Sequence, residues 1–151
     1  MGTPSIKSQL TADIKTAMKA GDKARLSTLR NIHAAIKQRE VDERVELDDA
    51  AVLAVLDKRA KQHRESLEAY HSAGRSELAA QEQAELDILA EYLPAPLEPA
   101  ELDRLIDAAV AETQAETVRD MGRVMAIVKP QVQGRADMSA VSGRVKARLG
   151  G

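Results

Sequence analysis

The chain has 151 residues, of which 44% are hydrophobic and 30% are charged, and its net charge is −2. It contains no cysteine, which excludes disulfides, thiol catalysis and thiolate metal sites. Aromatic residues make up 1% of the chain, so the core must be built from aliphatic side chains, a composition that favours packed helices over strands.

The chain carries no segment typical of export or of membrane insertion. The first residues, Met1 to Lys7, are polar and lack the apolar core of a secretory signal. The longest uncharged apolar stretch, Ala50 to Leu56, is far shorter than the ~20 residues that span a bilayer. These features predict a cytoplasmic protein with no membrane partner.

The N-terminal part is predicted to form four helices, because its apolar residues recur at helical spacing. Gly21 is expected to end the first helix and Asp22 to cap the second. The third is expected to begin at Asp48 or Asp49 and to end near Gly74, and Ser76 is expected to open the fourth. On the second helix, three cations spaced seven apart form one basic face: Lys23, Arg30 and Lys37.

Pro94-Ala95-Pro96 is predicted to be an extended connector between two domains, residues 1–94 and 97–151. Three further helices are predicted in the second domain. The spacing of Thr117 and Asp120 resembles a capping box at the start of the middle one, and Pro130 is expected to end it. The predicted fold class is therefore all-α, a bundle of about four helices followed by a small domain of three.

The histidines and paired acids do not form a recognisable catalytic or metal-binding motif. His33 and His63 fall on or beside apolar stripes, where packing with local hydrogen bonds is the simpler interpretation. Glu82 and Glu85 fall on a polar helix face and are expected to be solvated. Phosphate-binding loops and nucleophile elbows are also missing, so no catalytic residue, metal or cofactor is predicted.

Basic residues concentrate at both ends of the chain. Residues 1–40 carry eight Lys/Arg against three acids, and residues 117–151 carry seven against two. Clustered cations and helix starts attract phosphates, so the tail is a candidate surface for a structured RNA. Base stacking is not expected there because the segment has no aromatic residue. The candidate residues are Arg123, Lys129, Arg135, Arg144 and Lys146.

Several stretches resemble the GatB/YqeY family, and the resemblance covers nearly the whole chain. The tail matches in Asp120-Met121-Gly122-Arg123-Val124-Met125, in Lys129-Pro130 and in Gly134-Arg135-Ala136-Asp137-Met138. Further matches are Ala17-Met18-Lys19-Ala20, Arg25 to Arg30, Arg64-Glu65-Ser66, Ala73-Gly74-Arg75 and Glu91-Tyr92-Leu93-Pro94. The chain is identified as similar to the stand-alone YqeY-like members.

This resemblance implies a helical N-terminal part and a tail similar to the C-terminal domain of the B subunit of glutamine-dependent aminoacyl-tRNA amidotransferase. In that enzyme the tail helps to hold tRNA, and other domains carry out the chemistry. By position, Arg123, Lys129 and Arg135 would contact tRNA, and Gly122, Gly134 and Asp137 would shape the turns that present them. Two residues depart from the family pattern: Ala126 replaces a common glycine, and Gln131 replaces a common lysine.

Three functions remain open from the sequence. The first is a non-catalytic module that binds tRNA or a tRNA-dependent enzyme. The second is a helical adaptor that binds another protein and no nucleic acid. The third is a component of glutamine-dependent carbon–nitrogen ligase activity, which the family's usual label suggests although no active site is recognisable.

Overall fold

The computed structural model describes residues 5–150, which form seven α-helices, one 3-10 turn and no strand, so the all-α prediction is confirmed. The helices are α1 (Ile6–Ala20), α2 (Lys23–Glu43), α3 (Asp49–Ser72), α4 (Ser76–Ala90), α5 (Pro99–Thr113), α6 (Met121–Val132) and α7 (Met138–Arg148). The 3-10 turn, Val118–Asp120, leads directly into α6. The described chain separates into two compact units between Leu93 and Pro94.

Local capping sets most of the helix boundaries, as the sequence predicts. Gly21 ends α1 in the left-handed conformation, with φ of 70°. The Asp22 carboxylate then accepts a hydrogen bond from the Arg25 amide and starts α2. Asp48 caps α3 in the same way, and Gly74 takes the left-handed turn before α4. These boundaries depend on residues within one turn of each other.

The first unit packs α1 to α4 around aliphatic side chains. Its most extensive helix pair is α3 with α4, followed by α1 with α2. The fully buried large residues of this unit are Leu10, Leu29, Val52, Leu56 and Leu89. Leu78 is 40% exposed. It lies in the first turn of α4, where the helix has only just left the surface turn.

Two polar contacts join the end of α4 to α1 and α2. The buried Tyr92 donates its hydroxyl hydrogen to the Asp13 carboxylate, and Arg25 makes a two-pronged ion pair with Glu91 at 2.7 and 3.0 Å. Burial, and then the Asp13 hydrogen bond, raise the pKa of Tyr92 well above its usual range. Tyr92 therefore stays a neutral donor, and the family-like Glu91-Tyr92 pair has a structural role.

The second unit packs α5, α6 and α7 around one apolar cluster. Three valines one turn apart, Val124, Val128 and Val132, form the fully buried face of α6. Val141 and Val145 of α7 and Ile106 of α5 complete the cluster. Val118 is 37% exposed, because the chain forms a 3-10 turn there and α6 begins only at Met121.

The prediction that Pro130 ends the sixth helix is wrong, because α6 continues to Val132. Proline at this position removes the N–H that would bond to the Ala126 carbonyl. Both Ala126 and Pro130 are exposed, so water can satisfy that carbonyl. Continuing the helix also buries Val132 completely. Gly134, with φ of 77°, forms the turn that follows.

The predicted capping box before α6 is confirmed. Thr117 accepts a hydrogen bond from the Arg119 amide, and the Asp120 carboxylate accepts from the amides of Glu116 and Thr117 at 2.9 and 3.2 Å. Arg123 also donates to Asp120, at 2.5 Å. The Glu116 amide, then Arg123 and the Thr117 amide, lower the pKa of Asp120 to about 2.

Replacing Tyr92 by Phe should destabilise the chain by about 1–2 kcal/mol, because the substitution leaves the Asp13 carboxylate without a buried donor. Urea denaturation of the full chain measures the change. Tyr70→Phe is the matched control, since the half-buried Tyr70 hydroxyl has no hydrogen bond to residues 5–150. Equal stabilities of the two variants would contradict a structural role for the Tyr92 hydroxyl.

Replacing Asp120 by Asn should lower the melting temperature near neutral pH. The folded-state pKa of Asp120 lies below the unfolded value, so its charge stabilises the fold above about pH 4, and this contribution is lost between about pH 4 and pH 2. The gap between wild type and variant should therefore narrow over that range in thermal denaturation followed by circular dichroism. Asp103→Asn, which removes a carboxylate that accepts no backbone amide, should give a smaller gap at neutral pH. A D120N gap that is unchanged at low pH would contradict this account.

Candidate nucleic-acid interface

Two of the five tail cations predicted to bind RNA are tied to acids of their own unit. Arg123 binds Asp120 at 2.5 Å and also donates to the Thr113 carbonyl at 3.3 Å. Arg144 on α7 binds Asp103 on α5 at 2.6 Å. The neighbouring Arg148 makes the same kind of pair with Asp107, at 2.7 Å. The positive charge of these arginines is therefore offset locally.

Arg135 is held by the chain that precedes α5. Its side-chain Nε donates to the Ala95 carbonyl at 3.1 Å, and its own carbonyl accepts from the Leu97 amide at 2.9 Å. The residue is only partly exposed. These two bonds fasten the Gly134 turn to the segment before α5, so Arg135 has a structural role within the second unit.

Lys129 and Lys146 differ from these arginines. Both are exposed, and neither side-chain ammonium makes an ion pair or hydrogen bond with any residue in the described range 5–150. Arg119 in the 3-10 turn is also exposed, and no partner contacts its guanidinium there. Exposed cations without an acidic partner keep their full charge for an external anion.

Helical geometry puts the two lysines on the flanks of α6 and α7 that face away from α5. Each residue turns a helix by about 100°, so Lys146 lies about 200° from Arg144, which contacts α5. On α6, Lys129 is likewise rotated by about 120° from Arg123, whose guanidinium reaches the end of α5. Because α5 packs against both α6 and α7, helical rotation predicts that these flanks lie on the outer face of the α6–α7 pair.

Small residues lie near these lysines around each helix: at 100° per residue, Gly122 and Ala126 are within about 60° of Lys129, and Gly143 is about 60° from Lys146. Gly122 and Ala126 of α6 and Gly143 of α7 are all exposed. Close packing between helices would explain Gly122, but a methyl group built on Gly122 or Gly143 meets no atom within 4 Å. Close packing therefore does not explain Gly122, and the expectation that this residue shapes a turn is wrong, because it lies within α6. We call the set Gly122, Ala126, Lys129, Gly143 and Lys146 the glycine–lysine face.

The remaining tail residues from the family motif shape the turn before α7. Gly134 is buried and has a positive φ, which favours glycine. The Asp137 carboxylate accepts from the Ser139 amide at 3.4 Å and caps α7. Both residues therefore stabilise the backbone conformation before α7.

The second basic face lies on α2 in the first unit. Lys23, Arg30 and Lys37 are exposed, and their spacing puts them about 10 Å apart along the helix axis. The Arg30 guanidinium lies 3.7 Å from the Met18 sulfur, and neither the Lys23 nor the Lys37 ammonium has a hydrogen-bond or ion-pair partner among residues 5–150. The three side chains thus share one exposed helix face.

Charge is balanced within the second unit, where eight basic residues accompany eight acidic ones. Long-range attraction of a polyanion by the unit as a whole is therefore weak. An anion would instead meet local clusters of unpaired cations. Whether a cation is paired with an acid, as Arg144 is, or unpaired, as Lys129 is, therefore decides whether it is available to bind such an anion.

Three side chains of the first unit form a cluster that the sequence does not predict. Glu82 and Glu85, expected to be solvated, are half-buried and face His63 across the α3–α4 pair. The His63 Nδ1 atom lies 2.6 Å from a Glu82 oxygen and 3.6 Å from a Glu85 oxygen. Their spacing of three residues indicates that the two glutamates share one face of α4. It does not indicate which residue of α3 that face contacts. His33, expected on an apolar stripe, is exposed.

None of the helices described here is both long enough and apolar enough to cross a membrane.

Comparison with known proteins identifies relatives along nearly the whole chain. Residues 7–149 match the family described as Yqey-like protein. A protein of Pyrenophora tritici-repentis named altered inheritance of mitochondria protein 41, mitochondrial, is 34% identical over 94% of this chain and 80% of its own length. Proteins of the same name from Eremothecium gossypii and Saccharomyces cerevisiae are 36% and 31% identical, over 61% and 67% of this chain and 51% and 58% of their own lengths.

The prediction of a cytoplasmic location is wrong, because these relatives are named as mitochondrial proteins. The prediction rested on the polar first residues and on the lack of cysteine. Neither feature separates the cytoplasm from the mitochondrial interior, since mitochondrial targeting uses polar, amphipathic segments.

The match over residues 7–149 and the relative that shares a third of its residues lead to one conclusion: the chain belongs to the YqeY-like family.

Proposed function

We propose that this protein is a non-catalytic tRNA-binding module, and that the glycine–lysine face of α6 and α7 is the surface that contacts the RNA backbone. The proposal rests on one observation: two unpaired lysines accompany two exposed helical glycines, at positions where the fold itself does not require glycine. The RNA would be recognised by shape and phosphate charge, because this unit has no aromatic residue for base stacking.

The lysines supply the electrostatic part of the interaction. Each unpaired ammonium that approaches a phosphate releases condensed counterions, which favours binding and makes the affinity depend on salt. Arg144 and Arg148 are less available, because a phosphate would have to compete with Asp103 and Asp107. Arg119 has no such competitor and can extend the contact at the start of α6.

The glycines supply close approach. A glycine inside a helix destabilises it by about 1 kcal/mol relative to alanine. At Gly122 and Gly143 the added methyl would enter open space, so the fold alone gives no reason to keep glycine. A bulky ligand that lies directly against the helix backbone does give one, because glycine lets an RNA sugar–phosphate chain approach the amide surface.

The family resemblance supports the same assignment. It relates this tail to a domain that helps to hold tRNA in the aminoacyl-tRNA amidotransferase, whose chemistry lies in other domains. The proposed role accordingly gives the chain a contact with tRNA, and leaves any amido transfer to a separate enzyme.

Replacing both Lys129 and Lys146 by Ala should weaken tRNA binding by about tenfold or more at low salt. It should also reduce the slope of log affinity against log salt by about 2, because two phosphate contacts are lost. Filter binding to total tRNA over a salt series measures both quantities.

The matched control is the double variant Arg144→Ala, Arg148→Ala, which changes the net charge equally but removes cations already paired with acids. It should leave the affinity and the salt slope nearly unchanged. Equal losses in the two double variants would mean that only bulk charge matters. Failure of the wild type to bind tRNA even at low salt would refute the proposal and favour the protein adaptor.

Replacing Gly122 and Gly143 by Ala should separate stability from binding. Because both methyl groups enter open space, we expect the variant to be more stable by about 1–2 kcal/mol in total. The same methyl groups should hold the RNA backbone away from the helices and weaken tRNA binding. Urea denaturation and filter binding on one preparation test both effects, and a variant that binds tRNA as tightly as wild type would contradict the role given to the glycines.

A further inference from the structure

We propose that His63, Glu82 and Glu85 form a binding site for a divalent transition-metal ion, with Zn²⁺ the best-suited ion, which bridges α3 and α4. His63 lies on α3, and the two glutamates lie one turn apart on the facing side of α4. One donor atom from each residue can be chosen so that all three lie within 4.8 Å of one another.

The distances suit a small metal ion. Zinc binds imidazole nitrogen and carboxylate oxygen at about 2.0–2.2 Å, so the ligands of a tetrahedral site lie about 3.4 Å apart. The Nδ1 atom of His63 is already 3.6 Å from a Glu85 oxygen, and it is 2.6 Å from a Glu82 oxygen. The Glu82 side chain would withdraw by less than 1 Å when the ion replaces its hydrogen bond to His63.

Without such an ion, the two carboxylates have too few hydrogen-bond donors. Their side chains are only 20% and 24% exposed, and that of His63 is 16% exposed. A single Nδ1–H can serve one carboxylate, and it serves Glu82. The Glu85 carboxylate accepts no hydrogen bond from any residue between 5 and 150. One imidazole N–H thus serves only one of two half-buried carboxylates, and a divalent cation bound between them would offset both negative charges.

The donor set determines the class of ion. Imidazole binds Zn²⁺, Co²⁺ and Ni²⁺ far better than Mg²⁺ or Ca²⁺, which prefer oxygen ligands alone. Three protein ligands leave a fourth position of a tetrahedral site for water. Arg59, one turn before His63 on α3, brings positive charge to the same side of the helix, so we expect moderate affinity.

A bound ion would cross-link the most extensive helix pair of the first unit. It would therefore raise the thermal stability of the folded chain, because the unfolded chain does not hold the three ligands together. This site lies on α3 and α4, whereas the glycine–lysine face lies on α6 and α7, so either proposal can fail without the other.

The test is titration of the full chain, free of any histidine tag, with Zn²⁺ in a calorimeter, and with Co²⁺ followed by visible absorption. We expect one ion per chain and the strong visible absorption of four-coordinate Co²⁺. His63→Gln, which can still donate a hydrogen bond to Glu82, and Glu85→Gln should each weaken Zn²⁺ binding at least about tenfold. His71→Gln, which removes an exposed histidine of the same helix, should change the affinity less than about twofold.

Absence of one-to-one Zn²⁺ binding by the wild-type chain would overturn the proposal. Undiminished binding in both His63→Gln and Glu85→Gln would do the same. Circular dichroism confirms that each variant is folded, and if His63→Gln is not, Glu85→Gln together with the wild-type Co²⁺ spectrum decides the question.

Discussion

The second unit depends on the burial of one row of valines along α6. Val124, Val128 and Val132 are fully enclosed by α5 and α7, and their spacing fixes the rotation of α6 about its axis. Once that rotation is fixed, Arg123 must reach toward the end of α5 and Lys129 must point away from it. The apolar packing therefore decides which cations of the tail are paired and which are available.

The same packing explains why the folded second unit is less basic than the sequence of its tail. The tail segment is rich in basic residues, but α5 carries acids at the positions that face Arg144 and Arg148. The two helices neutralise each other along their contact, and only the flanks that do not face α5 keep unpaired lysines. A segment can thus be strongly basic in sequence while the folded unit has no net charge.

The exposed glycines of α6 and α7 show that a surface residue need not be the one that stabilises the fold best. Nothing in the fold penalises a larger residue at Gly122 or Gly143, and alanine would favour the helix. Residues that weaken a fold without a packing reason are expected where a surface contacts another molecule. In the first unit, the half-buried carboxylate of Glu85, which accepts no hydrogen bond, is a comparable departure.

The sequence by itself determined the all-α class, most helix ends and the capping box before α6. Each of these depends on residues within about four positions of one another, such as Asp22 with Arg25 or Thr117 with Asp120. The family motifs were also recognisable in the sequence, because they too are short local patterns. Composition could not indicate the cellular location, since the relevant polar features are shared between compartments.

Only the tertiary structure decided which side chains meet across helices. The pairing of Arg144 with Asp103 spans 41 residues, and that of His63 with Glu82 spans 19. Helical periodicity states which residues share a face of one helix, but it contains no information on the register or rotation of two helices packed together. That register depends on how the apolar side chains of both helices interlock, and it decided which charges are paired between helices, such as Arg144 with Asp103.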